Sequence, residues 1–346
     1  MRKPLSKPRL LLINYSMSES NTIFSHQLET ALRLSPSYSR IIVLSNEMPE
    51  GELPVNMTVV PTGWVNGSKL LSALRFLRIG TWTLIRHRPD VIFCHMTEVQ
   101  NLMLAPFARI FRTPIYLWYA HMSLSPYLRI SYFLSNGIIT STKFSCPIKG
   151  SKVFEIGQAI DSVTFNGPEF HGPIRKLIHL GRFDESKNIS ALIETVSGMR
   201  YEYPELTLEI IGTASNFKNQ GYANSILTTH TEEKWLTFRP SIPRAQVPDK
   251  LTESDCFIHA YEGSLDKILV EATLMRRPVV TRNHGYLEEF GTWSDSIPTS
   301  LELELISLLK MSEREVTIEV NRRREIATNN HDISSWVEKL NSILIR

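Results

Sequence analysis

Two hydrophobic patterns alternate along this chain of 346 residues. Short, continuous apolar runs rich in Val, Ile and Leu are typical of strands in a parallel sheet that is covered on both faces. Between them lie segments whose apolar residues recur every three or four positions, as in an amphipathic helix. One such stripe consists of Ile189, Leu192, Ile193, Val196 and Met199. The alternation of the two patterns predicts an α/β fold built on parallel sheets.

The predicted strands form two series separated by a stretch rich in glycine and proline. The first series is 10–15, 40–44, 57–60, 90–94, 114–119, 137–140 and 152–156. The second series is 176–180, 207–211, 235–238, 255–259 and 278–281. Between them, the segment NGPEFHGP at 166–173 contains two Gly-Pro steps, which interrupt regular structure. We therefore expect two Rossmann-like, doubly wound domains that face each other across a cleft, with boundaries at 1–172 and 173–330.

The last segment, 331–346, has the pattern of one more helix. Trp336, Leu340 and Ile343 fall on a single stripe, so this helix needs an apolar surface to cover. We expect it to pack back on the N-terminal domain.

Length and composition agree with two globular domains. With 42% hydrophobic and 21% charged residues, the chain is neither disordered nor fibrous. No apolar stretch reaches the ~20 residues of a membrane span, and the basic N-terminus is not followed by a secretory core, so we expect a cytosolic protein. Cys94, Cys146 and Cys256 are far apart and form no CxxC pair, which indicates reduced, structural thiols.

The charge is unevenly distributed. Residues 1–160 hold 17 Lys and Arg against 8 Asp and Glu, whereas the remainder holds 21 against 27. A basic N-terminal half indicates an anionic partner there. Because no basic run with interleaved aromatics, zinc-finger spacing or RNP motif occurs, nucleic acid is not expected. A phosphate-bearing substrate or an anionic membrane surface fits better.

Two segments of that half, 70–88 and 102–112, mix arginines with large apolar residues. This mixture is typical of peripheral proteins that bind anionic headgroups. The alternative is that the apolar residues face the core and the arginines are simply solvated.

Ligands of open parallel sheets bind beyond the carboxyl ends of the strands. The residues at these ends are Ser16, His95, His121, Arg182, Gly212 and Glu262.

The segment HLGRFDESKN at 179–188 carries two cations next to a predicted helix start. Arg182 and Lys187 would together hold a diphosphate without a metal, since arginine binds phosphate in bidentate fashion and lysine acts as a point charge. The structural alternative is a pair of solvated surface charges.

A second segment, 257–272, places Lys267 in the first turn of a helix and Glu271 one turn later. The functional interpretation is that Lys267 faces phosphate while Glu271 accepts hydrogen bonds from vicinal sugar hydroxyls. The structural alternative is an i,i+4 salt bridge between the two.

Several motifs resemble glycosyltransferase family 4, whose members are retaining, GT-B-fold enzymes with nucleotide-sugar donors. The resemblance is strongest for GRFDESKN (181–188), EGSLDKILVEA (262–272) and RPVV (277–280), which resemble the donor-binding domain. VFEIGQAIDSVTF (153–165) is similar to the family segment that ends before the linker. Weaker matches at 12–26 and 116–121 extend the resemblance over nearly the whole chain.

The resemblance implies roles for individual residues. Arg182 and Lys187 match the pair that holds the donor diphosphate, Glu271 matches the ribose-binding carboxylate, and His121 matches a histidine near the transferred sugar. Glu262 falls at the place of a second glutamate near the sugar. Gly181, Lys267 and Asn21 complete the expected donor site.

The chain also departs from the family pattern. Eight residues separate Glu262 from Glu271, where the family has seven, and Arg276 replaces a glycine after the helix. The loop 16–21 lacks the Gly-Gly of many members, and Asn21 or the serines are its expected substitutes. Because no Asp-x-Asp motif occurs, we expect no metal and no other cofactor; the absence of GxGxxG and P-loop motifs disfavours oxidoreductases and P-loop NTPases.

The sequence thus predicts a retaining transferase that moves a sugar from a nucleotide-diphosphate donor to a saccharide or lipid-linked acceptor in cell-surface polysaccharide assembly. It would be cytoplasmic, or peripheral at the inner face of the membrane. A nucleotide-sugar epimerase and a non-catalytic subunit that scaffolds a partner transferase remain as alternatives.

Overall fold

Strands form where the sequence has continuous apolar runs, and they build two parallel sheets.

The computed structural model describes residues 7–21, 24, 26–63, 68–215, 217–230, 232–294 and 300–345. The basic N-terminal segment, on which the expectation of no secretory leader rests, lies largely outside these residues. The chain divides into two units, Met1–Ala159 with Ile333–Arg346, and Ile160–Asp332.

The first unit contains a parallel sheet of seven strands in the order β3-β2-β1-β4-β5-β6-β7. The strands are β1 (Arg9–Ile13), β2 (Arg40–Ser45), β3 (Met57–Pro61), β4 (Val91–His95), β5 (Ile115–Trp118), β6 (Gly137–Thr140) and β7 (Val153–Glu155). In the register of the central strands, Leu11 lies between Ile42 and Ile92.

Four helices of this unit follow its strands: α1 (His26–Leu34), α2 (Lys69–His87), α3 (Glu98–Ile110) and α4 (Pro126–Leu134). Leu10 and Leu12 face the side that α1 covers, and Leu11 and Ile13 face the side that α2, α3 and α4 cover. Both faces of the sheet are therefore buried, which is why its strands read as continuous apolar runs.

The second unit contains a parallel sheet of five strands in the order β10-β9-β8-β11-β12. The strands are β8 (Lys176–Leu180), β9 (Thr207–Ile211), β10 (Leu236–Arg239), β11 (Cys256–His259) and β12 (Val279–Thr281). The helices are α5 (Ile189–Met199), α6 (Phe217–Thr229), α7 (Val247–Thr252), α8 (Lys267–Leu274), α9 (His284–Phe290), α10 (Leu301–Lys310) and α11 (Glu313–His331). Short 3-10 turns occur at Glu185–Lys187 and Arg244–Gln246.

Two apolar clusters cover the two faces of this second sheet. One contains the stripe predicted on α5 together with residues of α6 and α10. The other contains residues of α7, α8 and α9, and α11 contributes to both clusters.

The last helix, α12 (Ile333–Leu344), belongs to the first unit although it ends the chain. Its stripe packs in the same cluster as α1, and the ring of Trp336 lies edge-on to that of Trp118, with 5.4 Å between centroids. The Tyr38 hydroxyl donates a hydrogen bond to the Asn341 side chain over 2.8 Å.

The division between the units falls at Ala159 and Ile160, earlier in the chain than the expected boundary at 172 and 173. The reason is packing: Ile160 and Phe165 are buried in one cluster of the second unit and Phe170 in the other. Arg277 also donates a hydrogen bond to the carbonyl of Pro168 over 3.0 Å. The Gly-Pro segment is thus part of the second unit.

The predicted fold class is confirmed, since two parallel, doubly wound sheets are present and every predicted strand is found within two residues of its expected limits. The three cysteines are unpaired and buried. Among the described residues, no helix is long and apolar enough to cross a membrane.

Candidate active site

The strand order of the second sheet reverses between β8 and β11, which creates a topological switch point at their carboxyl ends. Ligands of open α/β sheets bind in the crevice at such a point. The loops 181–188 and 260–266 leave the sheet there, and they carry three of the six predicted donor-binding residues, Gly181, Arg182 and Lys187, together with Glu262.

Glycine is required in this crevice. The amide of Gly181 donates a hydrogen bond to the carbonyl of Ile211 over 3.0 Å, which joins the loops after β8 and β9. A Cβ atom on Gly212 would lie 1.8 Å from the carbonyl oxygen of Gly181, and one on Gly181 would lie 2.7 Å from the His179 ring. A side chain at position 212 would force the two loops apart, and one at position 181 would displace the buried His179 ring.

Arg182 is half-exposed at the mouth of the crevice. Its guanidinium lies 3.3 Å from the carboxylate of Asp184, which is nearly buried. That carboxylate also accepts hydrogen bonds from the Ser215 amide and the Asn219 side chain, over 3.2 and 2.9 Å. Asp184 is therefore held in place, and Arg182 has one fixed anionic neighbour.

Lys187 ends the 3-10 turn before α5, and the next residue, Asn188, has a left-handed backbone with φ of 49°. Its side chain is only 8% exposed, forms an ion pair with Asp266, and has its ammonium 3.9 Å from the centre of the Tyr261 ring. The alternative of a solvated surface charge is therefore wrong for Lys187.

Two buried histidines lie behind this ion pair. His259 Nε2 lies 3.0 Å from the Asp266 carboxylate, and His179 Nδ1 lies 3.0 Å from the carbonyl oxygen of Ile258. Burial lowers the pKa of His259, and burial together with His259 lowers the pKa of His179 to about 3. Both rings are neutral at pH 7 and serve as uncharged donors.

Glu271 lies in α8 with a side chain that is 2% exposed. Its carboxylate is 2.7 Å from a guanidinium nitrogen of Arg244, which itself packs over the Phe165 ring with 5.2 Å to the centroid. The Glu271 carboxylate therefore lies on the buried side of α8. Instead of the alternative i,i+4 pairing with Lys267, the ion pair of Glu271 is with the more distant Arg244.

Glu262 is exposed in the loop after β11 and lies 3.1 Å from the Arg282 guanidinium. The loop itself is fixed by Asn283, whose buried amide donates hydrogen bonds to the carbonyls of Tyr261, Gly263 and Ser264. This arrangement places Glu262 at the carboxyl edge of the sheet, with an arginine as its partner.

Two of the predicted site residues, His121 and Asn21, belong to the first unit. His121 follows β5 and is exposed; its Nδ1 accepts a hydrogen bond from the Ser123 amide over 3.1 Å. His121 is therefore a surface residue and not part of the core. By contrast His95, at the end of β4, is buried beside the rings of Phe93 and Trp118.

Asn21 lies in the loop after β1, where its amide donates to Glu47 over 2.7 Å and its oxygen accepts from the Phe24 amide over 2.7 Å. In the same loop, the Ser18 hydroxyl donates to Glu50 over 2.5 Å, and this bond helps to lower the pKa of Glu50 to about 2. The loop thus uses its polar groups to bind the two glutamates that follow β2.

Six of the predicted residues belong to the second unit and lie in the segments that follow β8 and β11: Gly181, Arg182, Lys187, Glu262, Lys267 and Glu271. Their partners in the structure, among them Asp266, His259, Arg244 and Asn283, were not predicted from the sequence. Only Asp266 gave a local signal, as an aspartate directly before a helix. Among the described residues, no three metal-ligating side chains lie close enough together to hold a metal ion, and metal independence stays a prediction.

Most of the second unit resembles a known protein family in sequence. Residues 174–295 match the family model described as glycosyl transferases group 1. No curated protein sequence matches the chain.

Solved structures resemble the whole chain in fold. HepE of Anabaena in complex with UDP-glucose has a TM-score of 0.73 and 16% identity, over 98% of this chain and 99% of that one. Sucrose-phosphate synthase from Thermosynechococcus elongatus has a TM-score of 0.78 and 10% identity, over 97% and 98%. The lipopolysaccharide outer core galactosyltransferase WaaB has a TM-score of 0.64 and 13% identity, over 97% of this chain and 99% of that one. The chain therefore has the GT-B fold, and its second unit carries the match to group 1 glycosyl transferases, which confirms the resemblance to GT-B glycosyltransferases drawn from its motifs.

Proposed function

We propose that this protein is a glycosyltransferase that uses a nucleotide-diphosphate sugar as its donor. The observation that carries the proposal is the family match over 174–295, because this stretch contains the crevice with Arg182, Lys187 and Glu271. Solved structures of HepE with UDP and with UDP-glucose share the fold and support a nucleotide-sugar donor.

In the proposed complex, the donor diphosphate lies against Arg182, Lys187 and the first turn of α8, where Lys267 stands. Opposite charge and the positive end of the helix dipole both favour an anion there. Glu271, one turn further along α8, accepts hydrogen bonds from the ribose hydroxyls, and Arg244 holds its carboxylate in position. Gly181 allows the backbone to approach the phosphates.

The reaction follows from where charge develops. As the bond between the anomeric carbon and the phosphate oxygen breaks, the leaving diphosphate gains negative charge, and Arg182 and Lys187 stabilise it most strongly in the transition state. In the retaining mechanism that we propose, the acceptor hydroxyl attacks the same face and its proton passes to the leaving phosphate oxygen. Glu262 hydrogen-bonds the transferring sugar. For His121 and Asn21, which belong to the first unit, the motif resemblance supports roles in binding the sugar and the donor.

We infer that the acceptor is a saccharide or a lipid-linked saccharide, and that the pathway is cell-surface polysaccharide assembly. WaaB, a lipopolysaccharide galactosyltransferase, and TarM, solved with α-GlcNAc-glycerol and UDP, share the fold and support this class of acceptor.

Thermal unfolding with UDP, GDP, ADP and CMP tests the donor site. A nucleotide at 100 times its dissociation constant should raise the free energy of unfolding by ~2.7 kcal/mol. We expect one of the diphosphates to do so, and transfer or slow hydrolysis of the corresponding sugar nucleotide to persist in EDTA. If no nucleotide stabilises the protein, the proposal is wrong; if chelation abolishes activity and Mn²⁺ restores it, its metal-independent form is wrong.

A non-catalytic, scaffolding subunit is the second candidate. The observation that favours it is Glu262, which is one residue further from Glu271 than the family spacing and already paired with Arg282. Nucleotide binding without any transfer or hydrolysis would favour this function over catalysis.

A lipid-linked acceptor would require the protein to reach a membrane, and one surface of the first unit has the composition for it. We name it the α2–α4 surface, formed by side chains that are each more than half exposed or nearly so: Leu70, Leu74, Trp82, Ile85, Ile110, Ile130 and Phe133. α2 packs against α3 and α3 against α4, so the three helices that carry these side chains are neighbours. Phe76, Leu84 and Leu104 are buried in the core, so for these three the structural alternative is right.

The charge of this surface complements an anionic bilayer. α2 contains Lys69, Arg75, Arg78 and Arg86 and no acidic residue, and all four side chains are exposed. Each Lys or Arg near an anionic surface contributes ~1 kcal/mol of attraction. Apolar side chains between them would insert at the headgroup boundary.

We expect the protein to sediment with phosphatidylglycerol vesicles and not with phosphatidylcholine vesicles, and high salt to release it. The pair Leu74→Ser and Trp82→Ser should abolish sedimentation, whereas Phe217→Ser, which changes an exposed aromatic residue of the second unit, should not. A protein that stays in the supernatant with both kinds of vesicle would point to a water-soluble acceptor.

A further inference from the structure

The carboxylate of Asp266 is oriented in an unusual way for its position. Asp266 is the N-cap residue of α8, with φ of −75° and ψ of 140°, yet its side chain does not cap the helix. An aspartate in this place normally accepts a hydrogen bond from the first-turn amides. Here the same oxygen, Oδ2, accepts from the Lys187 ammonium and from His259.

The surroundings of Lys187 and Asp266 keep both side chains charged and close together. Burial alone would raise the pKa of Asp266, but Lys187 and His259 hold this pKa below its usual range. His259 is neutral because burial lowers its pKa, so it adds a hydrogen bond and no charge. One carboxylate therefore faces one ammonium, and their local charges cancel.

The same ammonium is the group that the proposed function assigns to the donor diphosphate. Arg182 has a counter-ion as well, Asp184, but its side chain is 52% exposed and the pair is screened by water. Lys187 is almost buried, so the attraction between its ammonium and Asp266 is screened far less. A diphosphate that enters the crevice has to share Lys187 with Asp266.

We propose, on the basis of the proposed function, that Asp266 is an internal counter-ion that competes with the diphosphate for Lys187 and so speeds release of the nucleoside diphosphate product. The product keeps every phosphate contact of the donor, so a crevice with uncompensated cations would retain it after transfer. Asp266 is a positioning residue in this account, since it acts through Lys187. His259 holds the carboxylate in reach of the ammonium.

The test uses Asp266→Asn and Asp266→Ser, because Asn and Ser are both good N-cap residues and preserve the start of α8. The probe is the diphosphate among UDP, GDP and ADP that the wild-type protein binds, with its nucleoside as reference. We expect roughly tenfold tighter diphosphate binding in both variants, seen mainly as slower dissociation, and unchanged nucleoside binding. Asp249→Asn, which removes an exposed carboxylate from α7, should leave both affinities unchanged.

A second background separates competition for Lys187 from simple repulsion of phosphate. In Lys187→Ala protein, Asp266→Asn should tighten diphosphate binding by less than about threefold, since the shared group is gone. Equal tightening in both backgrounds would overturn the proposal, as would unchanged or weaker binding in the single variants. Loss of folded protein in both Asn and Ser variants would make Asp266 a purely structural ion-pair partner. If the wild-type protein binds no nucleoside diphosphate, the proposed function itself fails.

Discussion

At the scale of single residues, the two cations after β8 differ in their access to water, and their removal should have different effects. Lys187→Ala and Arg182→Ala should both weaken binding of a nucleoside diphosphate far more than binding of the nucleoside, because charged contacts in a crevice typically contribute ~2 to 5 kcal/mol. Lys187→Ala should also lower the free energy of unfolding by ~2 kcal/mol or more, since it leaves the Asp266 carboxylate with its hydrogen bond to His259 but without a cation.

Arg182→Ala should change the free energy of unfolding by less than ~1 kcal/mol, because its ion pair is half exposed. Calorimetric titration and urea denaturation of the two variants measure both quantities. Wild-type affinity for the diphosphate in both variants would show that this loop does not bind phosphate.

At the scale of the element, helix ends offer a test of backbone strain. α2 ends at His87, and the next residue, its C-cap Arg88, is exposed and has a left-handed backbone with φ of 44°. Glycine adopts this conformation without strain, so Arg88→Gly should raise the free energy of unfolding by up to ~1 kcal/mol. Arg86→Gly, two residues earlier in the last helical turn, should lower it by ~1 kcal/mol. Thermal unfolding of the two variants should give shifts of opposite sign, and equal shifts would contradict the argument.

The sequence predicted strands and helices better than any other feature, because each is identified by the pattern of a few neighbouring residues. Continuous apolar runs identify β8 and β11 because both faces of the sheet are covered, and the stripe of α5 identifies its buried side. Arg276, read as a replacement for a helix-ending glycine, does have a left-handed backbone, with φ of 54°. These features depend on neighbours a few residues away.

The partners of the site residues depend on distant segments, and the sequence could not predict them. Lys187 meets Asp266 across 79 positions, and this contact exists only because β8 and β11 are adjacent in the sheet. The i,i+4 pattern of Lys267 and Glu271 was a plausible local pairing, but the turn at Arg244 brings a guanidinium to the buried carboxylate. For the same reason the units divide at Ala159 and Ile160, before the boundary predicted at 172, since Phe165 and Phe170 pack into the second unit.

At the scale of the whole molecule, His179 and His259 should make stability depend on pH. Their folded pKa values are lowered by burial, whereas an unfolded histidine titrates near pH 6.5. Below pH ~6.5 the unfolded chain binds more protons, so the free energy of unfolding should fall as the pH drops from 7.5 to 5. Carboxylates with lowered pKa values, such as Glu50, lose their contribution only at more acid pH.

Urea denaturation at several pH values measures this slope. His259→Gln keeps a donor for Asp266 and His179→Asn keeps one for Ile258, so each should reduce the slope between pH 7.5 and 5 whatever it does to stability at pH 7.5. Slopes equal to that of the wild-type protein in both variants would assign the pH dependence to other groups.

The chain returns to the first unit at its end, where α12 packs. α12 is separated in sequence from the rest of that unit by the whole of Ile160–Asp332, yet Trp336 is buried against Trp118. Trp336→Ala should lower the stability of the first unit by ~3 to 5 kcal/mol, because it opens a cavity under the helix. Binding of a nucleoside diphosphate should change little, since the proposed phosphate contacts of Arg182 and Lys187 lie in the second unit.

Glu338→Ala, on the exposed side of α12, is the matched control for Trp336→Ala and should change neither the stability of the first unit nor nucleotide binding. Proteolysis followed by peptide mapping would locate the loosened region: cleavage confined to residues 7–159 and 333–345 is the expected result, and faster cleavage within 160–332 would mean that α12 supports the second unit instead.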